Sequence, residues 1–198
     1  MVRTRRTDPD QSWKTILQNH TAETAACDFF VVPTVTFQRL FCFVVMSLDR
    51  RRILHVNVTK HPTAEWVAQQ MVVAFPGDGW IPQFLQRDRD GAYGWAFRRK
   101  LKAMGTEELA SAPRSPWQNA YVERVIGSIR RECTDRITPM GEKHLLRTVR
   151  EYVEFYANDR PHQSLDENSP TPRAVQSVGD VVLAPVLGGR HLRYSRAA

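Results

Sequence analysis

The sequence predicts a mixed α/β domain: a three-strand meander extended by crossover strands, with helices on both faces of the sheet. Three observations carry this. Runs rich in aromatic and β-branched residues at 25–32, 37–48 and 52–59 follow one another across short breaks. Beyond residue 60 the apolar spacing changes to that of helices alternating with short strand segments. No internal repeat or low-complexity tract interrupts the pattern, and 198 residues leave room for one core domain with a modest appendage.

The elements follow in order. Residues 1–20 are polar and basic with a single aromatic, Trp13, and are expected to be a lead-in or linker remnant. The first strand, Ala25 to Val32, is interrupted by one carboxylate, Asp28, and closed by Pro33. Phe37 to Leu48 is the second, Asp49-Arg50-Arg51 the turn, and Arg52 to Thr59 the third. A helix from Pro62-Thr63 to Phe75 is punctuated by Pro near its start and Pro76-Gly77 at its stop. Pro82 to Arg87 is a short strand ending in the turn-forming Asp88-Arg89-Asp90-Gly91. A helix from Tyr93 to Met104 and a strand from Glu107 to Ala110 come next. Ser115-Pro116-Trp117-Gln118 reads as a capping box, opening a helix that runs to about Cys133. On it an apolar stripe of Tyr121, Val125, Ile129 and Cys133 lies beside a polar one of Asn119, Glu123, Gly127 and Arg130. A further helix opens near Thr138-Pro139, with apolar residues at 145, 146, 149, 152, 153 and 156 on one face. Residues 161–198 are Pro-rich and expected to lie extended over the surface.

Composition narrows the function. Lys and Arg number 28 against 21 Asp and Glu, a formal charge of +7 that favours a polyanionic partner. The longest apolar run, Phe41 to Met46, is far short of the ~20 residues that span a bilayer. The basic N-terminus has no apolar stretch behind it, which argues against a signal peptide. Cys27, Cys42 and Cys133 form an odd, widely spaced set without a Cys-x-x-Cys pair. They are expected to be core thiols in a reducing cytoplasm.

Three carboxylates stand out. Asp28 lies within an apolar strand, where an ionised carboxylate costs several kcal/mol unless paired or metal-bound. Asp88 follows a strand at its C-terminal end, where open α/β sheets place ligands. Glu123 is on the polar stripe of its helix. Singly, each has an ordinary reading as a solvent-facing strand Asp, a loop Asp and a solvated helix Glu. Together they form a set that neighbouring strands and one packed helix can bring to a point, where hard divalent cations would offset their repulsion. Two Mg²⁺ ions about 4 Å apart suit in-line phosphoryl displacement. Clustered around these elements are Arg87, Arg89, Arg98, Arg99, Lys100, Lys102, Arg114, Arg124, Arg130 and Arg131, candidate holders of DNA phosphates.

Four segments in order carry a family resemblance: Ala26-Cys27-Asp28-Phe29-Phe30, Arg87 to Gly94, Ser115 to Arg124 running on to Cys133, and Tyr156-Ala157-Asn158-Asp159-Arg160-Pro161-His162. From about Trp13 onward the chain resembles the integrase-type catalytic core of bacterial insertion-sequence transposases. This is the DDE group, with a ribonuclease-H-like fold of a mixed five-stranded sheet flanked by helices. The resemblance implies a catalytic core over residues 21–160 and makes Asp28, Asp88 and Glu123 the catalytic metal ligands for two Mg²⁺ or Mn²⁺ ions. Glu123 stands 35 positions after Asp88, within one residue of the family's interval. Asn119 matches a residue the family places beside the site, and it joins Arg89, Arg114, Arg124, Arg130 and Arg131 as an expected DNA-binding residue. Ala157 stands where the family commonly has Asn.

The implied reaction is nicking at element ends, then attack of the freed 3′-OH on target DNA. The implied partners are those DNAs and a second copy in a homodimer or higher oligomer. The implied setting is the bacterial cytoplasm at the nucleoid, with no membrane partner. The chain begins about 27 residues before Asp28, so the helix-turn-helix domains that usually precede such cores are expected to be missing. That leaves a second reading, a non-catalytic remnant that binds DNA or pairs with a full-length transposase as an inhibitor. A third, a nuclease for RNA–DNA hybrids, shares fold and metals.

Overall fold

Strand β1 (Thr24–Pro33) runs through the middle of a five-stranded sheet and divides the molecule into two apolar layers. The computed structural model describes residues 19–112, 116–172 and 177–197. β1 pairs antiparallel with β2 (Arg39–Ser47), which pairs antiparallel with β3 (Ile53–Thr59), completing the expected meander. On its other edge β1 pairs parallel with β4 (Phe84–Arg87), and β4 pairs parallel with β5 (Glu107–Ala110), giving the order β3-β2-β1-β4-β5.

The parallel pairs require crossovers, and the helices supply them. α1 (Ala64–Ala74) links β3 to β4, with the Thr63 hydroxyl accepting from the Trp66 N–H at 3.2 Å as its N-cap. α2 (Trp95–Ala103) links β4 to β5 and buries Phe97 and Leu101, one helical turn apart. With Ala25, Cys27, Phe43, Val45 and Leu85 these helices build one core layer. α3 (Ala120–Glu132) and α4 (Glu142–Asn158) cover the opposite face, where Ala26, Phe30, Leu40, Cys42, Val44 and Met46 meet Val122, Ile129, Leu145 and Tyr152. Period-two alternation along β1 sends Cys27 into the first layer and Ala26 and Phe30 into the second. Asp28, between Ala26 and Phe30 in that alternation, is therefore on the α3 side.

Three details differ from expectation. The α-helix after residue 115 begins at Ala120, preceded by a 3₁₀ turn over Pro116–Asn119; the proposed cap, Ser115, lies outside the described residues, as does Arg114. Tyr121 is exposed, whereas Val122 and Ile126 are buried, so the apolar stripe of α3 is rotated from the one read in sequence. Within the Pro-rich tail, β6 (Val181–Val186) and β7 (His191–Arg196) form an antiparallel hairpin. Its turn uses left-handed Leu187, Gly188 and Gly189. It docks through Leu187, whose N–H donates to Glu151 at 2.6 Å, and through His191, stacked on Phe155 at 4.6 Å. Cys27, Cys42 and Cys133 are free and buried. Among the described residues no helix is long and apolar enough to cross a membrane.

Candidate active site

Register brings the first two carboxylates together. The parallel β1–β4 ladder aligns Ala26 with Gln86. Two residues further along each chain stand Asp28, midway along β1, and Asp88, just past the C-terminal end of β4. Asp28 Oδ1 accepts the N–H of Phe29 at 2.7 Å, and Asp88 Oδ1 accepts that of Asp90 at 3.2 Å. Asp90 in turn accepts the Ala92 N–H at 2.8 Å, the Asx-type turn its Asp-Gly sequence suggests.

The third carboxylate comes from α3. Val122, Val125, Ile126 and Ile129 bury one stripe of this helix against the sheet and leave Glu123 at the edge of the buried face. Asp28 and Glu123 both line a cleft of about 500 Å³ with Gly127 and Arg130. Asp88 is not among its lining residues, and no group of three metal-ligating side chains is gathered at binding distance among the described residues. The structure thus joins Asp28 with Glu123 in one cleft and sets Asp88 at its β4 side.

Electrostatics expose the cost of this arrangement. Burial first, then the charge of Asp88, and less strongly those of Glu123 and Asp90, push the Asp28 carboxyl up to about 7. Asp88 is also raised, chiefly by burial. Asp28, Asp88 and Glu123, none of them in an ion pair among the described residues, are a donor set suited to a hard divalent cation.

Residues expected to touch DNA divide into three groups. Arg130 is exposed in the carboxylate cleft, with a long 3.9 Å contact to Asp135. Arg89 is exposed, although its Nε donates to the Ser111 carbonyl at 2.8 Å; Arg124 and Arg131 line a different cleft, on another face of α3. Asn119 is only 2% exposed and its Nδ2 donates to the Cys27 carbonyl at 3.4 Å, which ties the start of α3 to β1 beside Asp28. Arg87 also turns inward, paired with Glu108 and lying 5.1 Å from the Tyr93 ring centroid. Arg51 and Arg160, which the sequence offered only as part of a turn and of a motif, line the second cleft.

Comparison with known proteins places these features in context. Residues 104–170 match the family model described as Integrase core domain, a span holding Glu123 and all of α3 and α4. Among solved structures, a chain of the simian T-cell lymphotropic virus intasome, determined by cryo-EM in complex with PP2A regulatory subunit B56 gamma, is similar at a TM-score of 0.61. The match has 11% identity and covers 88% of this chain and 66% of that one. No curated protein sequence matches. The fold is the ribonuclease-H-like one, an α/β mixed five-stranded sheet with flanking helices. The family match spans about a third of the chain, and the structural likeness is one of fold.

Proposed function

We propose that this chain is a metal-dependent DNA polynucleotidyl transferase core that nicks DNA and joins the 3′-OH end to target DNA. The observation that carries this reading is the meeting of Asp28 and Glu123 in one cleft, with Asp88 aligned beside Asp28, on a fold shared with an intasome chain.

Asp28, Asp88 and Glu123 are the residues to hold Mg²⁺ or Mn²⁺, and their mutually repelling donor set fits such ions. Bound there, divalent cations would supply Lewis-acid stabilisation of the attacking and leaving oxygens. The chain's own groups do the rest. The Phe29 and Asp90 N–H groups orient two of the carboxylates. Asn119 ties α3, and with it Glu123, to the strand that bears Asp28. Arg130 places a guanidinium in the same cleft, where it would hold a phosphate of the reacting strand. In strand transfer the 3′-hydroxyl would lose its proton to solvent water as its oxygen bonds phosphorus. The target's bridging P–O bond breaks, and that oxygen leaves in line with its electron pair and takes up a proton from water.

The test is strand transfer on a branched DNA substrate with Mn²⁺, comparing the wild type with Glu123→Gln. Such a substrate demands little end recognition. Joined product in the wild type alone supports the reading. Silence in both with DNA binding intact overturns it in favour of a DNA-binding remnant that pairs with a full-length transposase.

A further inference from the structure

We propose that the cleft behind α3 is a second, non-catalytic phosphate-binding site that seats the backbone of the DNA strand away from the reacting phosphate. This rests on the reading of the chain as a DNA-acting core. The cleft, of about 820 Å³, draws residues from three places far apart in sequence: the 49–51 turn, α3, and the segment after α4. Arg51, Arg124, Arg131 and Arg160 all line it, and no carboxylate does.

Like charges gathered this way repel unless an anion lies between them. Arg160 is neutralised by Glu132, but Arg51, Arg124 and Arg131 have no carboxylate partner among the described residues. Their fields converge. Tyr156, buried in the cleft wall, feels the charges of Arg160, Arg51 and Arg124 together. The His162 imidazole is held below its usual range by burial, then by Arg160 and Arg51, so it adds no competing cation near neutral pH.

The cationic residues are also held in place. Arg50 and Arg51 both adopt left-handed backbone, φ 48° and 54°, a conformation that costs a non-glycine residue energy and persists only where surroundings enforce it. The enforcement is visible: Arg50 donates from Nε to the Pro170 carbonyl at 3.0 Å and from Nη2 to Ser169 at 3.2 Å, fixing the turn that carries Arg51. Arg51 then lies 5.9 Å from the Tyr121 ring centroid. Arg131 lies back along its helix against Gly127, where a Cβ would come within 2.9 Å of its Nη1. Gly127 lines the carboxylate cleft, so Arg131 stands on the ridge between the two sites.

Guanidinium groups without intervening acids suit phosphate oxygens, which accept their forked donors. The open mouth and the shared helix favour a continuous strand over a free anion. Because α3 carries Glu123 on one face and this cleft on another, a phosphodiester seated here would fix that helix against the DNA.

The experiment measures affinity of the full chain for a 30-base-pair duplex by fluorescence anisotropy, without divalent metal, across a salt series. The pocket variant is Arg51→Gln/Arg124→Gln/Arg131→Gln. The control, Lys143→Gln/Arg147→Gln/Arg150→Gln, removes the same charge from exposed positions on the outer side of α4. The expected result is a loss of roughly 30-fold or more at 0.1 M salt in the pocket variant, with a salt slope lower by about 2–3. The control should lose under about threefold. Equal losses in both overturn the site, since net charge alone would then explain them. Tight saturable binding of pyrophosphate, lost in the pocket variant while its duplex affinity is unchanged, also overturns it by making this a small-anion site. A pocket-specific loss in a protein that performs no strand transfer supports the site and removes only the catalytic reading. A wild type that binds no duplex removes both.

Discussion

Arg160 grips Glu132 with one edge of its guanidinium, Nε at 2.9 Å from Oε2 and Nη2 at 2.7 Å from Oε1. Tyr152 donates to the same Oε2 at 2.8 Å, and the Glu132 carbonyl lies 3.0 Å from His191 Nε2. Four segments thereby meet at the C-terminal end of α3. The Arg-Pro-His motif that the sequence displays is thus half buttress, through Arg160 and Glu132, and half cleft wall, through Arg160 and His162.

This buttress has a pH signature. Burial raises the Glu132 carboxyl, but hydrogen bonds from Arg160 and Tyr152 outweigh it and hold the group below the usual carboxylate range. A depressed carboxylate stabilises the fold above its unfolded value near 4.5 and loses that contribution as pH falls through its lower folded value. Melting temperature should therefore fall below about pH 4.5 more steeply in the wild type than in Glu132→Gln. At pH 7 Arg160→Ala should cost about 2–4 kcal/mol by leaving a half-buried carboxylate unpaired.

Asp28 makes the opposite contribution. Its charge is half-buried among other carboxylates, so Asp28→Asn should stabilise the metal-free protein at pH 8, by about 1–2 kcal/mol, or ~2–8 °C. Millimolar Mg²⁺ should raise the wild-type melting temperature and leave the variant unmoved. A variant that melts lower than wild type without metal would contradict the repulsion described above.

Glu123→Gln and Asp88→Asn should each reduce strand transfer by roughly 10³-fold or more, the equivalent of several kcal/mol of transition-state stabilisation. Duplex affinity measured without metal should stay within about threefold of wild type, because neither carboxylate is a phosphate-binding group.

Asn119 distinguishes a DNA contact from a positioning role. The buried amide predicts that Asn119→Ala leaves duplex affinity unchanged, costs on the order of 1 kcal/mol in stability, and lowers the rate of strand transfer. Asn119→Asp should fare worse in the cleft's repulsive field. A fall in affinity with an unchanged rate would restore the contact expected from sequence.

Much of this molecule is written locally. The β-branched and aromatic runs around Phe29, Phe43 and Val56 specify strands, and the spacing of Leu145, Val149 and Tyr152 specifies α4, because a strand repeats every two residues and a helix every 3.6. Asp28 was legible because charge within an apolar strand is costly, and Asp88 because it follows a strand end. Glu123, on a solvated helix stripe, stood out only beside the other two and through the family resemblance. Tertiary structure decided the rest. Whether Tyr121 or Val122 faces inward depends on the rotation of α3, which packing against β1 and β2 sets and which a few apolar residues underdetermine. The burial of Asn119 follows from that same docking. The hairpin at 181–196 was hidden because its two strands satisfy each other's backbone groups while leaving most side chains exposed, so little apolar alternation marks them. The cleft joining Arg51, Arg124 and Arg160 has no signature along the chain. Its residues become neighbours only because β2 and β3 turn back at 49–51 beside α3, and because the Arg160–Glu132 pair draws the end of α4 over both.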